Sequence, residues 1–183
     1  MWPIGCRPAE VRDVEAIAAL HADSWRRNYR GAYLDSYLDG DVLTDRLRVW
    51  GERITRPQAS FRTIIAERDG ALAGFAHVNL DDDPRWGALL DNLHVTHVLR
   101  GQGIGTRLMA ASARAVLDAT PAAGLYLWVL DVNASAQVFY ATRGGVEAGH
   151  EMRGPFPGGG RALGHRIVWP DPSTLLLEGG VLP

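Results

Sequence analysis

Two spacings of apolar residues alternate along the chain. Short runs are alternating or continuous, as in strands; longer ones recur every third or fourth residue, as in helices that bury one face. Ile4 to Ala9 reads as a short strand. Asp13 then stands as the N-cap of a helix to about Arg27, with Val14, Ile17, Ala18, His21 and Trp25 in one stripe. After a turn at Arg30-Gly31, a second helical region runs to about Ile54, broken at Asp39-Gly40-Asp41. Leu43, Leu47, Trp50 and Ile54 are in phase there, and Pro57 ends it. Arg62–Glu67 and Ala71–Leu80 are strand-like and are joined by Asp69-Gly70, a two-residue hairpin signal, so they should pair antiparallel. Asp81-Asp82-Asp83-Pro84 reads as a solvated polar loop.

Leu89 to Val95 is a further strand, and a helix begins near Gly103 with Ile104, Leu108, Ala111 or Ser112, and Ala115 on one face. Between them lies Arg100-Gly101-Gln102-Gly103-Ile104-Gly105. Glycines let a ligand approach the backbone, and the unpaired amides of a first helical turn attract an anion. Pro121 to Gly124 then break the chain before Leu125–Leu130, apolar throughout as in a parallel strand buried on both faces. Asn133 can cap a helix with Ala136, Phe139 and Tyr140 on one face, closed by Gly144. Glu147–Met152 and Leu163–Trp169 are the last strands, joined by the glycine- and proline-rich loop Gly154–Gly160. Residues 1–170 read as a single domain. The tail 171–183, with Leu175-Leu176-Leu177 at its centre, would dock on the body or on a partner subunit.

At 183 residues, 46% hydrophobic and 22% charged, the chain suits one substantial core. A net charge of −2 with scattered basic residues gives no footprint for nucleic acid, and no apolar run is long enough for a membrane span. Cys6, the single cysteine, fits a reducing, cytoplasmic setting. His21, His77, His94 and His165 share no metal-like spacing, so core or surface roles are expected and no metal.

The anion site narrows by spacing. A Walker A loop needs lysine, and the chain contains none; a dinucleotide fingerprint needs a final glycine gap of three, whereas Gly101, Gly103 and Gly105 are two apart. The segment instead resembles the pyrophosphate loop of the GCN5-related N-acetyltransferase (GNAT) superfamily: Arg or Gln, two residues, Gly, one residue, Gly or Ala. Arg100, Gly103 and Gly105 match it. A second segment, from Asn133 through Ala134 to Phe139-Tyr140 and Gly144, is similar to the family's next helix, although Gly145 stands where the family most often has Phe.

The resemblance implies an α/β fold with a mixed sheet of about seven strands, mostly antiparallel with a splayed parallel pair, and about four helices. It implies acetyl-CoA as co-substrate, with Leu93, His94 and Val95 along the pantetheine arm and Arg100, Gly101, Gln102, Gly103, Ile104, Gly105 and Thr106 on the diphosphate. Asn133 and Tyr140 complete that set. The Val95 amide would polarise the thioester carbonyl, and Tyr140, a phenol near pKa ~10, would protonate the departing thiolate. Asp91, through a water, or His94 would take the amine's proton. No covalent enzyme intermediate is needed, so Cys6 has no nucleophilic part. The acceptor pocket would draw on Trp25, Tyr29, Tyr33 and Tyr37 with Asp35, Asp39 and Asp41, a set suited to a cationic amine. The expected protein is an acetyltransferase acting on a primary amine of a small molecule or peptide, as monomer or homodimer; the alternative is a non-catalytic acyl-CoA sensor.

Overall fold

The computed structural model describes residues 4–176. Its strands are β1 (Gly5–Pro8), β2 (Phe61–Arg68), β3 (Ala71–Asp83), β4 (Gly87–Val95), β5 (Leu125–Leu130), β6 (Val146–Arg153) and β7 (Ala162–Trp169). They form one sheet in the order β1-β2-β3-β4-β5-β7-β6, in which only β4 and β5 run parallel. The helices are α1 (Val14–Asn28), α2 (Asp35–Asp39), α3 (Val42–Thr55), α4 (Ile104–Ala119) and α5 (Ala134–Ala141). This is the mixed sheet expected from the sequence. Among the described residues no helix is long and apolar enough to cross a membrane.

Alternation along the strands separates two layers. Ala76 and Val78 pack with Leu108 and Met109 of α4, whereas Phe75 packs with Ile17 of α1 and Trp50 of α3 on the opposite face. Leu108 is fully buried, and its truncation to Ala would cost about 2–5 kcal/mol. The hairpin forms as expected: Asp69 and Gly70 have φ of 54° and 75°, the left-handed pair that a tight turn between twisted strands requires.

Three local expectations are corrected. Asp13 precedes α1 without a side-chain cap on it; its carboxylate accepts from Glu10 N at 2.7 Å and from Arg7 at 2.7 and 3.0 Å, closing a capping box on the preceding turn. On α3 the inward stripe is Val42, Arg46 and Trp50, while Leu43 and Leu47 are 37% and 36% exposed. Arg46 takes an apolar position because its guanidinium lies 4.3 Å from the Trp25 ring centroid. Asp81–Asp83 continue β3, and the turn begins at Pro84, where Asp83 Oδ1 accepts from the backbone N–H groups of Arg85 and Trp86 at 2.8 and 3.1 Å.

Two irregularities shape the centre. Register between β3 and β4 steps from Val78↔Leu90 to His77↔Asn92, leaving Asp91 as an extra residue, a bulge that bends β4. The parallel contact between β4 and β5 is limited to Ala88↔Leu125 and Leu89↔Tyr126. Beyond it β4 stays paired with β3 to Val95↔Gly74 and β5 with β7 to Leu130↔Gly164, so the two central strands part and open a cleft. Beyond β7, a turn at Pro172–Leu175 lies against α4 with Leu175 buried; Leu177 and the rest of the tail lie outside the described residues.

Candidate active site

A cavity of about 420 Å³ fills the cleft between β4 and β5 and extends to the start of α4. Gly101 and Gly103 have φ of 77° and 81°, backbone that side chains rarely adopt, and Gly103 is the N-cap of α4. The first bond of that helix runs from Arg107 N to Gly103 O at 3.1 Å, which leaves the N–H groups of Ile104, Gly105 and Thr106 without intrahelical acceptors. Gly105 allows α5 to approach, since a Cβ there would lie 2.9 Å from Phe139. Arg100, Gly101, Gly103, Ile104, Gly105 and Thr106 all line the cavity. Gln102 does not; it is exposed and its amide oxygen accepts from Arg68.

The edge of β4 supplies the next part. Thr96 N donates to Ala73 O of β3 at 2.9 Å, so strand alternation turns the N–H groups of Leu93 and Val95 toward the cleft. Leu93, His94 and Val95 line it, as do Asn133 and Tyr140 opposite. Asn133 caps α5 by accepting from Ala136 N at 3.3 Å. Tyr140 is 7% exposed and packs edge-to-face on Phe139 and Trp169 at 5.3 and 6.0 Å. Burial, and then the neighbouring Tyr29, push its phenol above the ordinary value of 10, so it stays protonated at neutral pH.

The two candidates for accepting the amine's proton differ. His94 is buried, with Nδ1 2.8 Å from Ser24 Oγ; burial and the charge of Arg100 pull its pKa down to about 3, so it is neutral and only weakly basic. Asp91 is exposed, accepts from Arg53 at 2.8 Å and from Asn92 at 2.6 Å, and borders the cleft. Cys6 packs against the core, and burial raises its thiol.

A second cavity, about 260 Å³, adjoins the first across Tyr29, Asp91, Asn92, His94 and Trp128. Trp25, Tyr29 and Tyr33 line it. The acids expected beside them do not. Asp35 and Asp39 pair with Arg30 on the surface, Asp41 is exposed, and Tyr37 turns away to donate to Asp45 at 2.6 Å. The charged lining is instead Arg46, Arg53, Arg153 and Asp91. Ser24, Asn28 and Arg143 of the first cavity, and Arg46, Trp128, Arg153 and Phe156 of the second, carried no sequence signal.

Away from both cavities, the β6–β7 pairing sets His150 opposite His165 and brings ligand atoms of Glu147, His150 and His165 within 4.8 Å. Register rather than spacing assembles this group. His165 uses both ring nitrogens on carboxylates, Glu147 at 2.9 Å and Asp131 at 3.1 Å, which raises its pKa. At Gly145 the structure explains the departure from the usual Gly-Phe: Trp169 of β7 fills the space, and its Nε1 donates to Arg143 O at 2.8 Å.

Known proteins share this fold. The family model described as "Acetyltransferase (GNAT) family" matches residues 15–144. A probable N-acetyltransferase of Mycobacterium tuberculosis is 30% identical over 141 residues, 75% of this chain and 76% of that one. Among solved structures, the PaiA N-acetyltransferase of Thermoplasma acidophilum in complex with coenzyme A superposes with a TM-score of 0.65 at 19% identity, over 89% of this chain and 98% of that one. The structure of YncA from Salmonella typhimurium with its cofactor acetyl-CoA gives 0.66 at 13% identity, over 100% and 98%. With the glycine cradle, the parted strands and a family match across most of its length, the chain belongs to the acetyltransferase (GNAT) family.

Proposed function

We propose that the protein transfers an acetyl group from acetyl-CoA to a primary amine of a small molecule or peptide, by direct attack within a ternary complex. One observation carries this reading: a single cavity is lined both by the open edge of β4 at Leu93 and Val95 and by the glycine cradle at the start of α4. The cradle amides and Arg100 would hold the diphosphate, as helix N-termini hold anions. Leu93 N–H would hold the pantetheine arm as a neighbouring strand does, and Val95 N–H would face the carbonyl oxygen on which negative charge develops.

The amine enters from the second cavity and gives up a proton, through water, at the exposed carboxylate of Asp91. Its nitrogen then forms a bond to the thioester carbon as the carbon–sulfur bond breaks. Tyr140 passes its phenolic proton to the departing sulfur, and the second proton that the nitrogen sheds as the amide forms returns to the phenolate through water while Asp91 releases the first to solvent, so protons and charge balance. His94, neutral and held by Ser24, positions the shared wall and is not the base.

The test is calorimetry with CoA, acetyl-CoA and longer acyl-CoAs, followed by a panel of amines assayed for free thiol. CoA binding in the micromolar range, with amine-dependent thiol release, is the expected result. Binding without release for every amine would leave an acyl-CoA sensor, and absence of binding would remove both readings.

A further inference from the structure

We propose that the second cavity selects an amine that also carries a carboxylate or a similar oxyanion, received by His21, Arg46 and Arg153. This rests on the acetyltransferase reading above. Two buried donors point to it. His21 is 1% exposed, and its Nδ1 accepts from Trp50 Nε1 at 2.9 Å, which places the proton of the neutral ring on Nε2. Among the described residues that nitrogen has no partner, although the ring lines the cavity. Arg46 is 7% exposed; its Nη2 donates to Asp45 at 2.7 Å, while its Nε has no acceptor among the described residues. Buried donors without acceptors are rare because each has lost its water without replacement. An oxyanion bound on this wall of the cavity would offer the acceptor that each lacks.

The charge of the lining agrees. Arg46, Arg53 and Arg153 face one carboxylate, Asp91, already engaged by Arg53 at 2.8 Å. Asp45 and Glu151, the partners of Arg46 and Arg153, are not part of the lining. A diamine or other purely cationic acceptor would meet a lining with three guanidinium groups and one carboxylate, the other two carboxylate partners lying outside it. An amino-acid-like molecule matches that lining: its amine lies toward Asp91 and Asn92 on the wall shared with the first cavity, and its anion toward His21 and Arg46, which line the second cavity alone. The volume of about 260 Å³ falls below the ~300–1,000 Å³ of pockets for drug-sized ligands, which suits a molecule of that size.

The experiment compares α-amino acids with the amines left by removing their carboxylate. Binding is read by calorimetry on CoA-saturated protein, and turnover by thiol release. Carboxylate-bearing acceptors should bind at least about tenfold more tightly, because a site built for an anion leaves its donors unpaired when the anion is absent. Arg153→Gln, a change at a side chain 39% exposed, should raise KM for the amino acids about tenfold, leave kcat within about threefold, and raise KM for the decarboxylated amines by less than about threefold. Arg46→Gln and His21→Phe should act in the same direction where they fold. Equal or tighter binding of the decarboxylated amines, or an equal effect of Arg153→Gln on both sets, overturns the proposal and leaves acetyl transfer standing. Carboxylate-selective binding without turnover of any amine would keep the anion site and remove the transferase reading.

Discussion

Arg143 Nη2 donates to Thr106 Oγ1 across 2.6 Å and Nε reaches the same oxygen at 3.1 Å, tying the residue beyond α5 to the first turn of α4. The guanidinium carbon also lies 3.7 Å from the Phe139 ring centroid, and burial lowers its pKa. A cation whose partners among the described residues are all neutral, beside amides without intrahelical acceptors, is poised to add charge to the proposed diphosphate site. Arg143→Gln should weaken CoA binding by roughly 10- to 100-fold, the equivalent of ~1.5–3 kcal/mol for a charge-assisted hydrogen bond. Calorimetry with CoA measures it. Arg143→Lys should recover only part, since an ammonium lacks the planar fork; a change below about threefold for both variants would reduce Arg143 to a strut between helices.

Tyr140 donates to no protein acceptor among the described residues, and burial keeps its phenol protonated. Tyr140→Phe should preserve CoA affinity and lower kcat by about tenfold or more, within the range for loss of a general acid. Because the phenol is raised rather than lowered, its ionisation should leave no alkaline fall in kcat below about pH 10 in the wild type. A fall near pH 8 that vanishes in the variant would contradict the upward shift.

The cradle was legible in the sequence and the second cavity was not, for a physical reason. Gly101, Gly103 and Gly105 are close in sequence, and backbone requirements alone select glycine at the first two, so spacing reveals them. The second cavity is made by register. Arg153 stands 4.5 Å from the Trp128 ring centroid, and Arg166 lies between Trp128 and Trp86 at 4.4 and 4.8 Å, a stack that exists only once β5, β6 and β7 are paired. Arg46 escaped because an arginine counts as polar in a periodicity, yet its stem and guanidinium cover Trp25 as an apolar side chain would. Asp91 is a bulge residue, and a bulge is a break in the alternation from which strand faces are read.

Buried histidines should set the acid limit of stability. His77 is lowered to about 4 by burial and by the charge of Arg53, His94 to about 3, and His21 lies well below 6.5. The unfolded chain takes up these protons below about pH 6.5 while the folded protein does not, so stability rises with pH from about 4 to 6.5 and is lost as pH falls through that window. His165 acts in the opposite sense: its raised pKa contributes stability below about 6.5 that fades as pH rises through the folded value. Urea unfolding measured across pH 4.5–7 should show the net loss toward acid, and His77→Gln should reduce the slope by about one proton. An unchanged slope in the variant would mean that His77 titrates normally in the folded state.

Gly145 and Trp169 share one volume. A Cβ on Gly145 would sit 2.5 Å from Ile167 Cγ2 and 2.7 Å from Trp169 Cζ2, and Trp169 is 1% exposed. Gly145→Ala should therefore cost about 1–3 kcal/mol through overpacking, a drop of roughly 2–12 °C in Tm for a chain of this size. The more searching experiment restores the family's usual aromatic. Gly145→Phe alone should be more damaging than Gly145→Ala, and Trp169→Ala alone should leave a cavity costing about 3–5 kcal/mol. Combined, each change removes the other's defect, so the double variant should be more stable than the sum of the two losses by at least about 1 kcal/mol, although Arg143 O loses its indole donor. Strict additivity would mean that a phenylalanine at position 145 and the tryptophan of β7 do not compete for the same space.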